Sequence, residues 1–198
     1  MDIAQLALAL GASLAAGLNL YITILTLGLG QRFELLHLPQ DMQILGNPWV
    51  LGTAGVLLVI EFVADKVPYI DNTWDAVHTF IRVPAGALLA VAAFSDLSQQ
   101  WLWVAALLGG FVSFSAHGAK ASTRLAVNAS PEPFSNWLLS FGEDAVSLTV
   151  LWLASSHPYI AVATVLILVG VCLTVLFFFY RFLRLLFRRR RTPSPAAG

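Results

Sequence analysis

Cysteine is nearly missing from this chain; with Cys172 as its one thiol, no internal disulfide can form and no cysteine-based metal site can be built. Cys172 itself is read as lipid-facing or as packing filler. Charge is scarce as well. Only 11% of the 198 residues are Asp, Glu, Lys or Arg, where an ordinary soluble domain carries roughly 25%. Together with 58% hydrophobic residues and a mean hydropathy of +0.78, this shortfall excludes an ordinary soluble domain and points to an integral membrane protein. A positively charged stretch ahead of the first apolar run is lacking too, so the N-terminal segment is read as retained rather than as a secretory signal peptide.

What the chain does hold is a series of apolar runs of membrane-spanning length: 5–30, 48–65, 83–97, 101–127, 137–155 and 158–187. A span needs about 20 residues at 1.5 Å rise, so the first, fourth and sixth are ample and the third is short enough for a re-entrant or interfacial helix. The expected fold is all-α, a polytopic transmembrane bundle of about six helices forming one domain over 1–187. An interfacial segment is expected at 31–46, and a basic, disordered cytoplasmic tail at 188–198. Six of the eleven basic residues are Arg181, Arg184 and Arg188, Arg189, Arg190 and Arg191. The positive-inside rule then supports an even number of spans with both termini in the cytoplasm, leaving only Arg32 outside, and does not say which bacterial or organellar membrane is meant. The end of the sixth run also suits a basic amphipathic extension against anionic headgroups, although a plain stop signal gives the same pattern.

Charges inside apolar runs are the functional lead. One at the bilayer centre costs on the order of 2.5–3.5 kcal/mol even on lenient scales, so such residues persist where they have partners or a task. Lys120, Arg124 and Asn128 fall at i, i+4 and i+8 on one helical stripe. If the first, second, fourth and fifth runs form the core, this stripe faces Asn19, Glu61, Asp65, Glu143 and Asp144. Arg124 suits bidentate contact with a carboxylate or phosphate, whereas Lys120 is a compact point charge. Two short matches, Gly17-x-Asn19 with Gly118-x-Lys120 and Phe62-x-x-Asp65-x-Val67 with Phe141-x-x-Asp144-x-Val146, suggest an inverted repeat of helices 1–3 and 4–6. Ser13 with Gly17, Ala12 with Ala16 and Gly118 with Ser122 supply the small residues that close helix contacts use.

The connection after the second run carries its own pattern. A turn at Pro68 should lead into a short cytoplasmic amphipathic helix over 69–82, with Asp71, Asp75 and His78 on one face and Trp74, Val77 and Ile81 on the other. Oxygen and imidazole at that spacing are candidate ligands for a divalent metal, the one cofactor the sequence suggests. A helix lying on the membrane surface produces the same pattern with no metal.

The block Glu61-Phe62-Val63-Ala64-Asp65-Lys66-Val67-Pro68-Tyr69-Ile70-Asp71 with Trp74-Asp75 is one of two specific stretches. The other runs from His117-Gly118-Ala119-Lys120 through Arg124, Asn128, Pro131-Glu132-Pro133 and Asn136 to Glu143-Asp144. With these blocks the chain resembles the small bacterial integral membrane proteins of domain of unknown function four-one-two-six, over nearly its whole length apart from the basic tail. The resemblance implies a polytopic membrane protein and carries over neither an activity nor a catalytic residue.

The expected function is a small transporter or channel-like permease for an ion or small anion, working through the intramembrane charges. The expected partners are the lipid bilayer, that ion or anion and further copies of the same chain, with no nucleic acid. One alternative is a membrane enzyme acting on a lipid or headgroup through the metal candidates. It ranks lower, because no complete lipid-phosphatase or CDP-alcohol transferase motif is present. The other is a scaffold or assembly factor whose charges merely pair with each other.

Overall fold

The computed structural model describes residues 2–67, 70–94, 97–128 and 133–189, and it is helical throughout. Seven α-helices follow in chain order: α1 (Ile3–Leu18), α2 (Leu20–Arg32), α3 (Pro48–Ala64), α4 (Ile70–Ala93), α5 (Gln99–Val127), α6 (Pro133–Ser156) and α7 (Pro158–Arg189). A 3₁₀ helix, Gln40–Gly46, precedes α3 and meets it at a bend of 62°. By length and hydropathy this is a multi-pass membrane protein. Among the described residues four helices, α4 to α7, are long and apolar enough to cross a membrane, and the number is five when the bent pair counts as one span.

The first expected span is broken. At Asn19 the backbone turns extended (φ −145°, ψ 101°), dividing the run into halves of 16 and 13 residues. Asn19 finishes one half and starts the other: its N–H donates to Ala15 O at 2.8 Å, and its side-chain oxygen accepts from Ile22 N at 3.0 Å. That is N-cap chemistry, in which a short polar side chain satisfies a donor that the first turn leaves free. A further difference lies in the third run. The amphipathic helix and the short span expected to follow it are one continuous helix, α4, with Pro84 inside it. Tyr69, the first residue of the expected surface helix, lies outside the described residues. Asp71, Asp75, His78, Arg82, Gly86, Leu89 and Ala93 form one buried stripe along α4, while Val77 and Ile81 are exposed. The polar face therefore points into the bundle, which is why no surface break occurs at Arg82.

α1 is the axis, packing against α4, α5, α6 and α7. Its Ala- and Gly-rich surface lets backbones come close, since a membrane bundle associates through packing and interhelical hydrogen bonds rather than a hydrophobic drive. A Cβ on Gly17 would collide with the Ser113 carbonyl of α5, and one on Gly86 with the Ser113 side chain. Ser13 Oγ donates across to Gly86 O at 2.8 Å, and Ser113 Oγ to Arg82 O at 2.9 Å, giving α4 interhelical partners on either side of its proline. The segment after α2 folds back on that helix, burying Leu38, Met42 and Leu45 while Phe33, Leu35 and Ile44 stay exposed. α7 is largely exposed along its length, and its 32 residues amount to about 48 Å, more than the roughly 30 Å of hydrocarbon it would cross. It continues through Arg189; the rest of the expected tail, 190–198, lies outside the described residues.

Candidate functional site

The ends of four helices meet on one side of the bundle: the C-termini of α3 and α5 and the N-termini of α4 and α6. From there a charged network runs inward to the break at Asn19. Its cations are Arg82, Lys120 and Arg124, with side chains fully buried. Arg82 donates to Glu61 at 2.6 Å and to Asp75 at 3.2 Å. Arg124 reaches Glu143 at 2.6 Å and Asp65 at 3.0 Å, with Asp71 at 3.8 Å and Asp75 at 3.9 Å. Two close carboxylates on one guanidinium are what its planar fork of donors favours.

Lys120 is set differently. Its Nζ donates to Leu18 O, the last carbonyl of α1, at 2.9 Å, and stands 3.2 Å from Glu143, 3.4 Å from Asp65, 3.5 Å from Glu61 and 4.0 Å from Asp75. The broken helix thus presents its negative C-terminal end to a cation, the use to which half-helices in membranes are put. Asn19 ties the same break to α6 by donating to Asp144 at 2.8 Å. An Asn19→Ala variant is expected to lose about 1–2 kcal/mol from the missing cap and interhelical bond. Thermal unfolding of the purified protein in detergent measures it, and no change would mean that the break is set by packing alone.

Two histidines sit beside the cations. A guanidinium can only donate, so His117 Nδ1, 3.2 Å from Arg82, must accept, and Nε2 carries the proton toward Thr79 Oγ1 at 2.8 Å and Asp75 O at 3.1 Å. His78 donates from Nδ1 to Trp74 O at 2.8 Å. In the neutral ring its Nε2 then accepts from the Tyr21 hydroxyl, also at 2.8 Å, beneath the stacked Trp74 ring. Asn128 closes the outer end: its amide donates to both Asp71 oxygens at 2.9 Å and to Asn72 at 3.2 Å, while its oxygen accepts from Asn136 at 2.7 Å. At the rim, Lys66 lies 3.0 Å above the Phe62 ring, and partial burial there lowers its pKa below the ordinary lysine value.

The eight expected site residues on α1 to α6 therefore converge. Glu61, Asp65, Lys120, Arg124 and Glu143 are linked directly, and Asn19 with Asp144 and Asn128 with Asp71 lie at the two ends. The metal candidates do not converge as ligands. Asp71 is taken by Asn128, Asp75 by Arg82 and His78 by Tyr21, and no group of three or more His, Cys, Asp or Glu among the described residues is arranged to hold a metal. Arg82 was missing from the expected set, as were Tyr21, Thr79 and Asn136. The signal for Arg82 was present in its spacing, seven residues after Asp75 and four after His78, which continues the acidic face.

These features define a multi-pass helical membrane protein with a buried, acid-rich charged network. The chain belongs to the family of domain of unknown function DUF4126, whose model matches residues 6–177. No curated protein and no solved structure matches it.

Proposed function

We propose that the protein is a small transporter or channel-like permease that moves a proton or monovalent cation through the network around Lys120. The carrying observation is charge imbalance: Glu61, Asp65, Asp71, Asp75, Glu143 and Asp144 are six carboxylates against the three cations Arg82, Lys120 and Arg124. Adding Lys66 at the rim still leaves an excess of two. Four of the acids, Glu61, Asp65, Asp71 and Asp75, are buried against the three buried cations, while Glu143 and Asp144 are half-buried; uncompensated buried charge costs several kcal/mol, so this surplus is balanced by bound protons or by a mobile cation, and either can be exchanged. An acid-rich site favours a cation over a small anion.

Glu143 marks the approach, because its side chain keeps 12% of its surface exposed while those of its partners Lys120 and Arg124 keep none. An inverted repeat is part of this reading. The paired positions lie against each other, with the Phe62 and Phe141 rings 6.1 Å apart edge to face and Lys120 bonded beside Asn19. The ends shared by α3 to α6 and the end of α7 are taken as cytoplasmic, in a bacterial inner membrane; the start of α1 packs beside Ala154 at the opposite end of α6, so this reading puts the N-terminus outside, unlike the expectation of two cytoplasmic termini.

A second reading, a scaffold with a static ionic clamp, is favoured by one observation. All three cations are already paired, and cavities of about 590 and 420 Å³ elsewhere on the protein are lined by other residues. Reconstitution separates the two. Proteoliposomes with an internal pH dye are expected to show flux under an imposed proton or potassium gradient. Glu143→Gln is expected to cut that flux about tenfold or more, since a charge-assisted contact of about 1.5–3 kcal/mol is lost on the path. Absence of flux under every gradient, with the variant altering stability alone, leaves the clamp.

A further inference from the structure

We propose that the oxygens around Lys120 Nζ form an ammonium-recognition cage, which the lysine fills as a tethered ligand and which admits ammonium and small primary amines. The inference rests on the carrier reading and narrows its cargo. Four oxygens from four different parts of the chain lie within 3.5 Å of one nitrogen: Leu18 O, Glu143 Oε2, Asp65 Oδ2 and Glu61 Oε1. Asp75 Oδ1 completes a fifth direction at 4.0 Å. A lysine ammonium has three N–H donors, so the cage offers at least one acceptor more than its occupant can use. A free ammonium ion, with four donors, matches the inner four.

The spacing also selects the class of ion. Calcium and magnesium hold oxygens at about 2.0–2.6 Å, whereas the shell here stands at 2.9–4.0 Å, the range of N–H···O contacts and somewhat beyond. Independently of the acids' number, Glu61 Oε2, Asp65 Oδ1 and Asp75 Oδ2 have no hydrogen-bond partner, although their side chains are at least nine-tenths buried. Native structures seldom leave buried polar atoms unpaired. Two of these oxygens, on Glu61 and Asp65, are acceptor capacity beyond what the tethered cation takes up, while Asp75 Oδ2 faces Arg124 Nε at 3.9 Å, itself without a hydrogen-bond partner. The C-terminal end of α1 adds a negative partial charge that does not depend on titration.

Chemical rescue tests the cage. Full-length Lys120→Ala retains Cβ, so propylammonium replaces the missing atoms from Cγ to Nζ. Lys120→Gln keeps more of the side-chain bulk and leaves room for ammonium alone. Both are purified in detergent in about 100 mM ammonium, propylammonium or choline chloride, choline having the charge but no N–H donor. The expected result is monodisperse protein with an unfolding midpoint about 3 °C or more higher in ammonium or propylammonium than in choline. Equal behaviour in all salts, or monodisperse protein in none, overturns the cage. The carrier reading fails separately: rescue without flux in the wild-type proteoliposomes keeps the cage and removes transport, while flux without rescue removes the cage alone.

Discussion

Arg82→Met is expected to destabilise the protein by about 3–5 kcal/mol, the usual consequence of removing one partner from a buried ion pair. Methionine preserves much of the packing volume, so the loss isolates the charge. The guanidinium is fully buried and is the closest cationic partner of Glu61, itself fully buried, at 2.6 Å. It also holds Asp75 and the Nδ1 of His117, and that ring nitrogen would be left without a donor. Lys120, at 3.5 Å from Glu61, is already shared among four acids and cannot replace a short bidentate-capable contact. Pairing the change with Glu61→Gln is expected to restore about 1–3 kcal/mol, because residues of one network couple on that scale. Denaturant or thermal unfolding of the single and double variants in the same detergent reads both numbers. A loss below about 1 kcal/mol in Arg82→Met would contradict the network's role in stability.

Gly109→Leu is expected to prevent stable assembly of α4 on α5, with a loss of at least about 3 kcal/mol from overpacking and a broken interhelical hydrogen bond. A Cβ at Gly109 would meet Gly86 O at 2.7 Å and Ser13 Oγ at 2.9 Å, and would collide with the Ala90 methyl. One of these obstacles is backbone, so the helices must part rather than a side chain swing away. Parting them also pulls Gly86 from Ser13 and moves Arg82 relative to His117, linking the packing seam to the network above it. Gly110→Leu is the matched control. Its Cβ would meet only Ala87 at 3.6 Å, an ordinary contact, and near-normal yield and unfolding midpoint are expected. Equal losses at both positions would show that helix propensity or insertion, not the seam, controls the outcome.

The sites most readable from sequence were those where an elementary cost exposes them. Lys120 and Arg124 interrupt an apolar run, as do Glu143 and Asp144, and each is found in or beside the network. Their pairings were less readable, since Arg124 meets Asp65 59 positions away in the chain and Asn19 meets Asp144 across 125. The break at Asn19 had a local cue in an N-capping residue, but a 26-residue apolar run from 5 to 30 is equally consistent with one unbroken span. Arg82 was hidden by position. It stands where a surface helix was expected to end, and a terminal arginine beside Pro84 reads as a positive-inside signal. Following the α4 stripe past Arg82 to Gly86, Leu89 and Ala93 joins the two halves into one buried face. The acids at Asp71 and Asp75 then change from metal candidates into partners of Asn128 and the two arginines.

The ion pair between Arg82 and Glu61 also bears on how the chain is made. Both residues lie in the α3–α4 hairpin, and so does Asp75, so Arg82 can balance one of these two acids as soon as two consecutive helices have left the ribosome. Asp65 and Asp71 have no such early option, because the arginine that reaches both is Arg124 on α5. Glu143 arrives last, on α6, when both of its cations are already in place. The charges are thus ordered in time as well as in space: a hairpin that can enter the bilayer partly balanced, followed by helices that each complete the set left by the one before.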